Sequence, residues 1–278
     1  CLSDWSSDVC SSDLKEQTST VLWGHGAAGC PRWTGVRLGD VLRACGVTAE
    51  AVYTGHHSPD LYLDDSGPAL SRGLPIAKAL APETMLAFGL NGAPLPPIHG
   101  GPLRIIAPGY PGAASQKWLT RIELRDREHD GERMAGLHYR MPRVPMQPGD
   151  PIDESLFDVI TDMPVRSVIT SPRDGFTARL GDPLMLRGHA WSGHVPVVSV
   201  EVSTDGGTRW RKATLGPLPD RFAWRRVLLT LPAPQPGELE IIMRATDAQG
   251  HTQPLGSAPW NPRGYLNNTC HRIRGTIS

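Results

Sequence analysis

The sequence predicts two domains, an α+β domain followed by an all-β sandwich. Three observations carry this prediction. The chain has 278 residues, a length that fits two domains of ordinary size. Up to about residue 148, short helical and strand-like stretches alternate. The remainder holds strand-like runs that are separated by turns.

The first domain is expected to contain short helices and buried strands. Apolar residues recur three and four positions apart over residues 38–45, and Gly46 stops this helix. Residues 74–80 form a second short helix, which ends before Pro82. The remaining elements are strands at residues 85–90 and 103–107 and turns at residues 91–92 and 108–112.

A linker rich in proline, residues 145–153, separates this pattern from the second domain. Strand-like runs follow at residues 184–191, 197–203, 222–231 and 239–246. Val198, Val200 and Val202 alternate with polar residues, which is typical of a sheet with one solvated face. Residues 205–207, Asp-Gly-Gly, predict a hairpin turn because glycine tolerates positive φ. Together these features predict an antiparallel sandwich of the immunoglobulin type.

Composition excludes several classes of protein. The 28 basic and 28 acidic residues give a formal charge of zero, which disfavours a protein that binds along nucleic acid. No run approaches 18 apolar residues, so we expect no membrane-spanning helix. The five cysteines include no C-x-x-C pair, which argues against a zinc ribbon, a c-type haem site and a disulfide scaffold.

Residues 1–14 differ from the rest of the chain. They read CLSDWSSDVCSSDL and show neither a helical nor a strand period. The segment resembles a translated sequencing adapter, so we expect it to be non-native; the alternative is a natural Ser-rich tail. Under the first interpretation the natural reading frame continues upstream, and a signal region there would be missing. The predicted domains are then residues 15–150 and 151–278.

Cationic residues beside glycine and proline loops indicate a possible anion site in the first domain. His99 and Arg104 stand at the two ends of the stretch HGGPLR, where glycines allow a ligand to approach the backbone. Ser115, Gln116 and Lys117 follow the next Pro-Gly loop. This arrangement matches neither a P-loop nor a dinucleotide-binding turn. A surface salt bridge of the arginine is the alternative interpretation.

The order of these stretches resembles the sulfite oxidase family of molybdopterin-dependent oxidoreductases. In the first domain the similar stretches are RWTGVRL at 32–38, LAFGLNGAPL at 86–95, HGGPLR at 99–104 and KWL at 117–119. In the second they are VRSVI at 165–169, PRDG at 172–175, GHAWSG at 188–193, WNPRG at 260–264 and NNTCHR at 267–272. The resemblance extends from about residue 20 to the end of the chain. It implies a truncated molybdopterin-binding domain followed by a dimerisation domain.

The resemblance also implies a molybdenum–molybdopterin cofactor and the residues that bind it. His99, Arg104 and Lys117 fall where the family holds the pterin and its phosphate. Ser115 and Gln116 fall where neighbouring backbone does the same. The alternative is that these side chains are solvated at loops and strand ends. No haem-binding module is recognisable in the chain.

Two residues correspond to the family's catalytic positions. Tyr139 falls near the active-site tyrosine, with an ordinary loop tyrosine as the alternative. Arg263 matches an arginine that reaches from the second domain into the anion site, and a salt bridge between the domains is the alternative. We expect its guanidinium to be buried, where it would compensate the charge of a sulfur dianion. Trp23 is a candidate for lining the substrate channel or for the core.

The sequence departs from the family at the metal ligand. The family's molybdenum-ligating cysteine lies upstream of the position of Trp23, where this chain has the segment that we expect to be non-native. Neither Cys10 nor Cys30 has the surrounding residues of that cysteine, so no metal ligand is assigned in this chain.

The implied activity is the oxidation of sulfite to sulfate by oxo transfer. Electrons would pass to a separate acceptor, a c-type cytochrome, and the protein would be a homodimer in the bacterial periplasm, with the cytoplasm as the alternative. Two other functions remain open. One is a sulfane dehydrogenase-type subunit or a relative with another substrate, and the other is an inactive fragment that lacks the ligating cysteine.

Overall fold

A computed structural model describes residues 28–62 and 66–278, which divide into two compact units. The first unit comprises the described residues up to Asp162 together with Trp260–Tyr265, and the second comprises Met163–Pro259 and Leu266–Ser278. The segment 1–14, Cys10 and Trp23 lie outside the described residues. Among the described residues, every helix is too short or too polar to traverse a lipid bilayer.

The first unit is mostly β-structure. Its two α-helices are α1 (Leu38–Ala44) and α2 (Ile76–Ala79). Its strands are β1 (Trp33–Arg37), β2 (Tyr53–His57), β3 (Ser71–Pro75), β4 (Met85–Leu90), β5 (Ala93–Pro94), β6 (Arg104–Ile106), β7 (Arg121–Arg125), β8 (Arg140–Pro142) and β9 (Phe157–Val159). Strand β4 pairs with β1, β5 and β6, β2 lies between β3 and β7, and β8 pairs with β9.

The short helices supply part of one apolar core. Leu38 and Leu42 of α1 pack with Leu74, Leu86 and Ile105 from the strands, and all five are buried. The helix predicted at residues 38–45 is confirmed. The helix predicted at residues 74–80 is wrong at its start, because Leu74 pairs with Thr54 in the sheet and the helix begins only after Pro75. Proline at a helix start costs no hydrogen bond, which explains this boundary.

The predicted linker at residues 145–153 lies inside the first unit. Strands β8 and β9 stand on either side of it and pair in antiparallel register, Arg140 with Val159 and Pro142 with Phe157. This pairing keeps the following residues in the first unit. The structural boundary therefore falls after Asp162 rather than after residue 150.

The second unit consists of two sheets. The four-stranded sheet has the order β10 (Arg166–Ser171), β12 (Leu184–Trp191), β16 (Arg225–Leu231), β15 (Thr214–Leu215). The five-stranded sheet has the order β11 (Phe176–Ala178), β18 (His271–Ile277), β17 (Gly237–Asp247), β13 (Val197–Ser203), β14 (Arg211–Lys212). Apolar side chains of both sheets share one buried core, which defines a sandwich.

The alternation predicted in β13 is confirmed for Val200 and Val202, which are buried in the shared core. It is wrong for Val198, which is 50% exposed, because the strand register shifts between Val197 and Ser199. Gly206 and Gly207 adopt φ of +72° and +95°, which confirms the predicted turn at residues 205–207. The run predicted at residues 222–231 becomes a strand only from Arg225, because the backbone of Phe222 is bound by Asp220 in a turn.

Candidate functional site

Arg104 organises the loop network in which the cofactor residues were predicted. Its side chain is 1% exposed at the start of β6. Nη1 donates a hydrogen bond to the carbonyl of His99 (2.8 Å), and Nη2 donates to the carbonyl of Ser115 (2.9 Å). The guanidinium carbon lies 4.9 Å from the centroid of the Trp33 ring. Arg104 thus holds two of the predicted segments side by side.

Ser115 and Gln116 are buried next to this arginine. The hydroxyl of Ser115 accepts a hydrogen bond from the backbone of Ala107 at 3.0 Å. The backbone carbonyl of Gln116 accepts from Ile105, and its Nε2 donates to the carbonyl of Lys117 at 3.3 Å. Its Oε1 is buried and has no hydrogen-bond partner among the described residues. A buried acceptor without a donor is costly, so this atom is a candidate for binding a ligand.

Lys117 closes the network on the side of His99. Its Nζ donates to the carbonyl of Ile98 at 2.9 Å and lies 4.6 Å from the centroid of the Trp118 ring. Gly100 adopts φ of +99°, and a Cβ there would come within 2.7 Å of the Cβ of Lys117. The absence of a side chain at Gly100 therefore allows its segment to pack closely against the segment of Lys117. His99 is exposed and joins the network through its carbonyl.

These residues fit one end of the expected pterin cofactor. The buried Oε1 of Gln116 can accept a hydrogen bond from a pterin N–H group. His99 and Lys117 place an imidazole and an ammonium group at the accessible edge of the network, where a phosphate could bind. Arg104 donates to protein carbonyls, so its contribution is to shape the network. The structure brings all five predicted cofactor residues together.

Tyr139 lies in a second cluster within the first unit. The guanidinium carbon of Arg72 is 3.7 Å from the centroid of its ring, and the ring of Tyr265 stacks on it at 5.2 Å with an interplanar angle of 20°. The backbone of Tyr139 has φ of +53°, an uncommon conformation for a residue with a side chain. Its carbonyl accepts a hydrogen bond from Ile160 at 2.8 Å. The tyrosine is therefore held by both its ring and its backbone.

Arg263 belongs to the first unit, although it lies late in the sequence. Burial lowers the pKa of His138, and the charges of Arg263, Arg133 and Arg72 lower it further. We expected a buried guanidinium at Arg263, but its side chain is exposed because residues 261–264 form a surface turn. The buried guanidinium beside Tyr139 belongs instead to Arg72, which is 2% exposed.

A small cavity, with a volume of about 20 Å³, adjoins Tyr139. Its lining includes Arg72, Tyr53, Tyr110 and Met134. Residues 99, 104, 117 and 263 do not line it, so the described residues place the predicted cofactor network and this cavity at separate positions.

Arg72 and Tyr53 were not among the site residues predicted from the sequence. Both stand in strands whose residues are almost all buried although few are aliphatic, YTGHH in β2 and SRGLP in β3. Buried polar residues in such runs are a signal of a functional site, because their desolvation must be compensated. The sequence does not reveal that these two residues lie near Tyr139, because that proximity arises only when the chain folds.

No group of three or more His, Cys, Asp or Glu side chains among residues 28–62 and 66–278 could hold a metal ion. Cys30 is half-buried, Cys45 is exposed and Cys270 is buried. Burial raises the pKa of the Cys270 thiol to about 11.

Two family models match the chain. Residues 7–133 match the oxidoreductase molybdopterin binding domain, and residues 157–277 match the Mo-co oxidoreductase dimerisation domain. The first match begins within the segment 1–14. The sulfite oxidase of Arabidopsis thaliana is 31% identical over 275 residues, which cover 91% of this chain and 69% of that protein.

The chain belongs to the sulfite oxidase family. The relatives also include the inducible nitrate reductase 1 of Glycine max, which is 30% identical over 297 residues that cover 95% of this chain and 32% of that protein. The mitochondrial sulfite oxidase of Macaca fascicularis is 37% identical over 271 residues, which cover 90% of this chain and 47% of that protein. The chain thus spans about half the length of the first curated relatives that it matches. The sulfane dehydrogenase SoxCD from Paracoccus pantotrophus has the same fold, with a TM-score of 0.79 over 100% of this chain and 70% of that chain at 24% identity.

Proposed function

We propose that the protein containing this chain oxidises sulfite to sulfate with a molybdenum–molybdopterin cofactor. The overall change is SO₃²⁻ + H₂O → SO₄²⁻ + 2H⁺ + 2e⁻. The electrons would leave to a separate acceptor of the c-type cytochrome class. The cofactor, when bound, supplies the two-electron oxidation and the oxygen-atom transfer. The observation that carries the proposal is the network around Arg104, which gathers His99, Ser115, Gln116 and Lys117.

The chain's own residues would have two tasks. His99 and Lys117 would bind the cofactor phosphate, Gln116 would accept a hydrogen bond from the pterin, and Arg104 with Ser115 would hold these segments in place. Tyr139 would orient the substrate and assist proton transfer, and the exposed Arg263 would add its positive charge to the binding of the oxyanion. The stacking of Tyr139 on Tyr265 supports a shared role for Tyr139 and Arg263, because Tyr265 lies only two residues after Arg263 in the chain.

The second unit would join two copies of the chain. Its match to a dimerisation domain supports this proposal, and we assign its two-sheet sandwich to the immunoglobulin type. Light scattering of the purified protein should give twice the chain mass of 30.1 kDa. A single chain mass at micromolar concentration would contradict the dimer. We further propose a periplasmic location, which fractionation of the source cells would test.

The decisive experiment uses the full-length parent gene, expressed with a supply of cofactor. We expect molybdenum by elemental analysis and reduction of cytochrome c that depends on sulfite. Arg263→Gln should raise the KM for sulfite at least tenfold, and Tyr139→Phe should lower kcat. Arg127→Gln, an exposed arginine of the same unit, is the matched control.

A molybdenum-free protein would contradict the proposed function. A molybdenum protein that oxidises a sulfane-containing substrate but not sulfite would instead identify the sulfane dehydrogenase-type alternative. An unchanged KM in Arg263→Gln would remove that residue from the site.

A further inference from the structure

A buried guanidinium and a buried hydroxyl adjoin the same cavity as Tyr139. Arg72, in β3, and Tyr53, in β2, are 2% and 7% exposed, and both line this cavity. Nη1 of Arg72 donates hydrogen bonds to the carbonyl of Arg133 and to Sδ of Met134. The arginine side chain is therefore fixed in position against the ring of Tyr139.

The hydroxyl of Tyr53 has no hydrogen-bond partner among the described residues. Burial is the largest of the causes that raise the pKa of Tyr53, so its hydroxyl keeps its proton and remains a neutral donor. The positive charge of Arg72, which also lines the cavity, lowers this pKa but does not outweigh burial. A buried hydroxyl without a partner destabilises the fold unless something binds it.

The remaining surroundings favour a small anion. The cavity lining contains apolar residues such as Ala113, Val159 and Ile160, and it contains no carboxylate. Glu128, whose charge also acts on Tyr53, forms an ion pair with Arg140. A guanidinium attracts an anion more strongly among apolar walls than in water, because the local dielectric constant is lower. The cavity volume is about 20 Å³, which leaves room for a water molecule or one small ion only.

We propose that Arg72 and Tyr53 form an oxyanion subsite that holds the sulfur oxyanion beside Tyr139. The guanidinium supplies the charge and the hydroxyl supplies a hydrogen bond to one oxygen. Because Arg72 also contacts the Tyr139 ring, the bound anion and the ring are held by the same residue. The identity of the anion rests on the proposed function, whereas the subsite itself rests on the cavity, the cation and the hydroxyl.

The test measures binding of sulfate to the purified chain by calorimetry at constant ionic strength. The wild-type chain should bind one sulfate, Arg72→Gln should weaken the affinity at least tenfold, and Tyr53→Phe should weaken it about fivefold. Arg127→Gln, which changes an exposed arginine, should bind as the wild type does. Circular dichroism checks that each variant is folded.

Tyr53→Phe separates this proposal from a purely structural role. The substitution removes a hydroxyl that has no partner, so the melting temperature should stay the same or rise while sulfate binding falls. Sulfate binding by folded Tyr53→Phe with wild-type affinity would overturn the subsite, and so would a wild-type chain that binds no sulfate. The variant remains informative even if Arg72→Gln fails to fold.

Failure of the subsite and failure of the proposed function are distinguishable. A full-length parent without molybdenum, together with sulfate binding that depends on Arg72, would contradict the function and support the subsite. A molybdenum protein that oxidises sulfite, whose Tyr53→Phe variant has wild-type sulfate affinity, would contradict the subsite alone.

Discussion

The rings of Tyr139 and Tyr265 stack with their centroids 5.2 Å apart. Tyr265 lies in Trp260–Tyr265, a short segment that leaves the strands of the second unit and belongs to the first. The stacking therefore fixes a late part of the sequence beside the predicted catalytic tyrosine. Offset ring pairs of this kind stabilise by about 0.5–1.5 kcal/mol beyond the area that they bury.

Asn261 should be required for the shape of that segment. Its Oδ1 accepts hydrogen bonds from the backbone of Arg263 (3.2 Å) and Tyr265 (2.9 Å), and its Nδ2 donates to the carbonyl of Tyr265 (2.8 Å). Asn261→Ala leaves these buried groups unpaired and should lower the free energy of unfolding by about 1–3 kcal/mol. Urea denaturation measures this loss. Gln249→Ala, an exposed amide, is the control, and equal stability of both variants would refute the prediction.

Gly100→Ala should disrupt the loop that carries His99. The new Cβ would meet Lys117 at 2.7 Å, and the backbone has φ of +99°. Gly149 has nearly the same φ, +96°, but open space around it. In Gly149→Ala the only penalty is the left-handed backbone conformation, so the free energy of unfolding should fall by about 1–2 kcal/mol. In Gly100→Ala it should fall further, because the clash with Lys117 is added. Thermal denaturation of the two variants compares them, and equal losses would show that the Lys117 contact is unimportant.

Two buried histidines should make the fold sensitive to acid. Burial lowers the pKa of His56 from 6.5 to about 3 and that of His129 from 6.5 to about 4. The unfolded chain binds protons near pH 6.5, whereas the folded chain does not. The contribution of these two histidines to the free energy of unfolding is therefore fully present above pH 6.5, and it is lost as the pH decreases toward 4. The slope should reach about 1.4 kcal/mol per pH unit for each histidine.

His129→Gln tests this acid sensitivity. The substitution removes hydrogen bonds to Ser71 (2.9 Å) and Arg125 (2.8 Å), so the variant should be less stable than the wild type at pH 7.5. Between pH 6.5 and 4, however, its free energy of unfolding should fall less steeply. Urea titrations across this range measure both slopes, with His99→Gln at an exposed position as the control. Parallel wild-type and His129→Gln profiles would exclude His129 as the cause.

Gln116→Met should separate cofactor binding from folding. The substitution removes the buried Oε1 without a partner, but it also removes the hydrogen bond from Nε2 to the carbonyl of Lys117. The two effects oppose each other, so the stability of the cofactor-free chain should change little. In the full-length parent, the same substitution should reduce the molybdenum retained after dialysis. Gln147→Met is the control, because Gln147 is exposed; this variant should retain as much molybdenum as the wild type. Full molybdenum retention by Gln116→Met would exclude Oε1 as a cofactor contact.

Local patterns predicted the elements that depend on neighbours in the sequence. The period of three and four residues in α1 and the alternation of Val200 and Val202 in β13 each report which side of the element is buried. Val198 departs from the alternation because the register shift beside it depends on the neighbouring strand. The glycine turn at residues 205–207 is equally local. The second helix was wrong at its start because pairing of Leu74 with Thr54 across the sheet overrides local preference.

The sequence by itself determined the family, the two-part organisation and the set of residues around Arg104, because these follow from residue order and short-range pattern. Only the tertiary structure decided which guanidinium is buried beside Tyr139. The answer is Arg72 rather than Arg263, since burial depends on how β3 and the turn at residues 261–264 are placed in the folded unit. Residue type and spacing carry no information on that placement, because contacts between distant segments form only when the chain has folded.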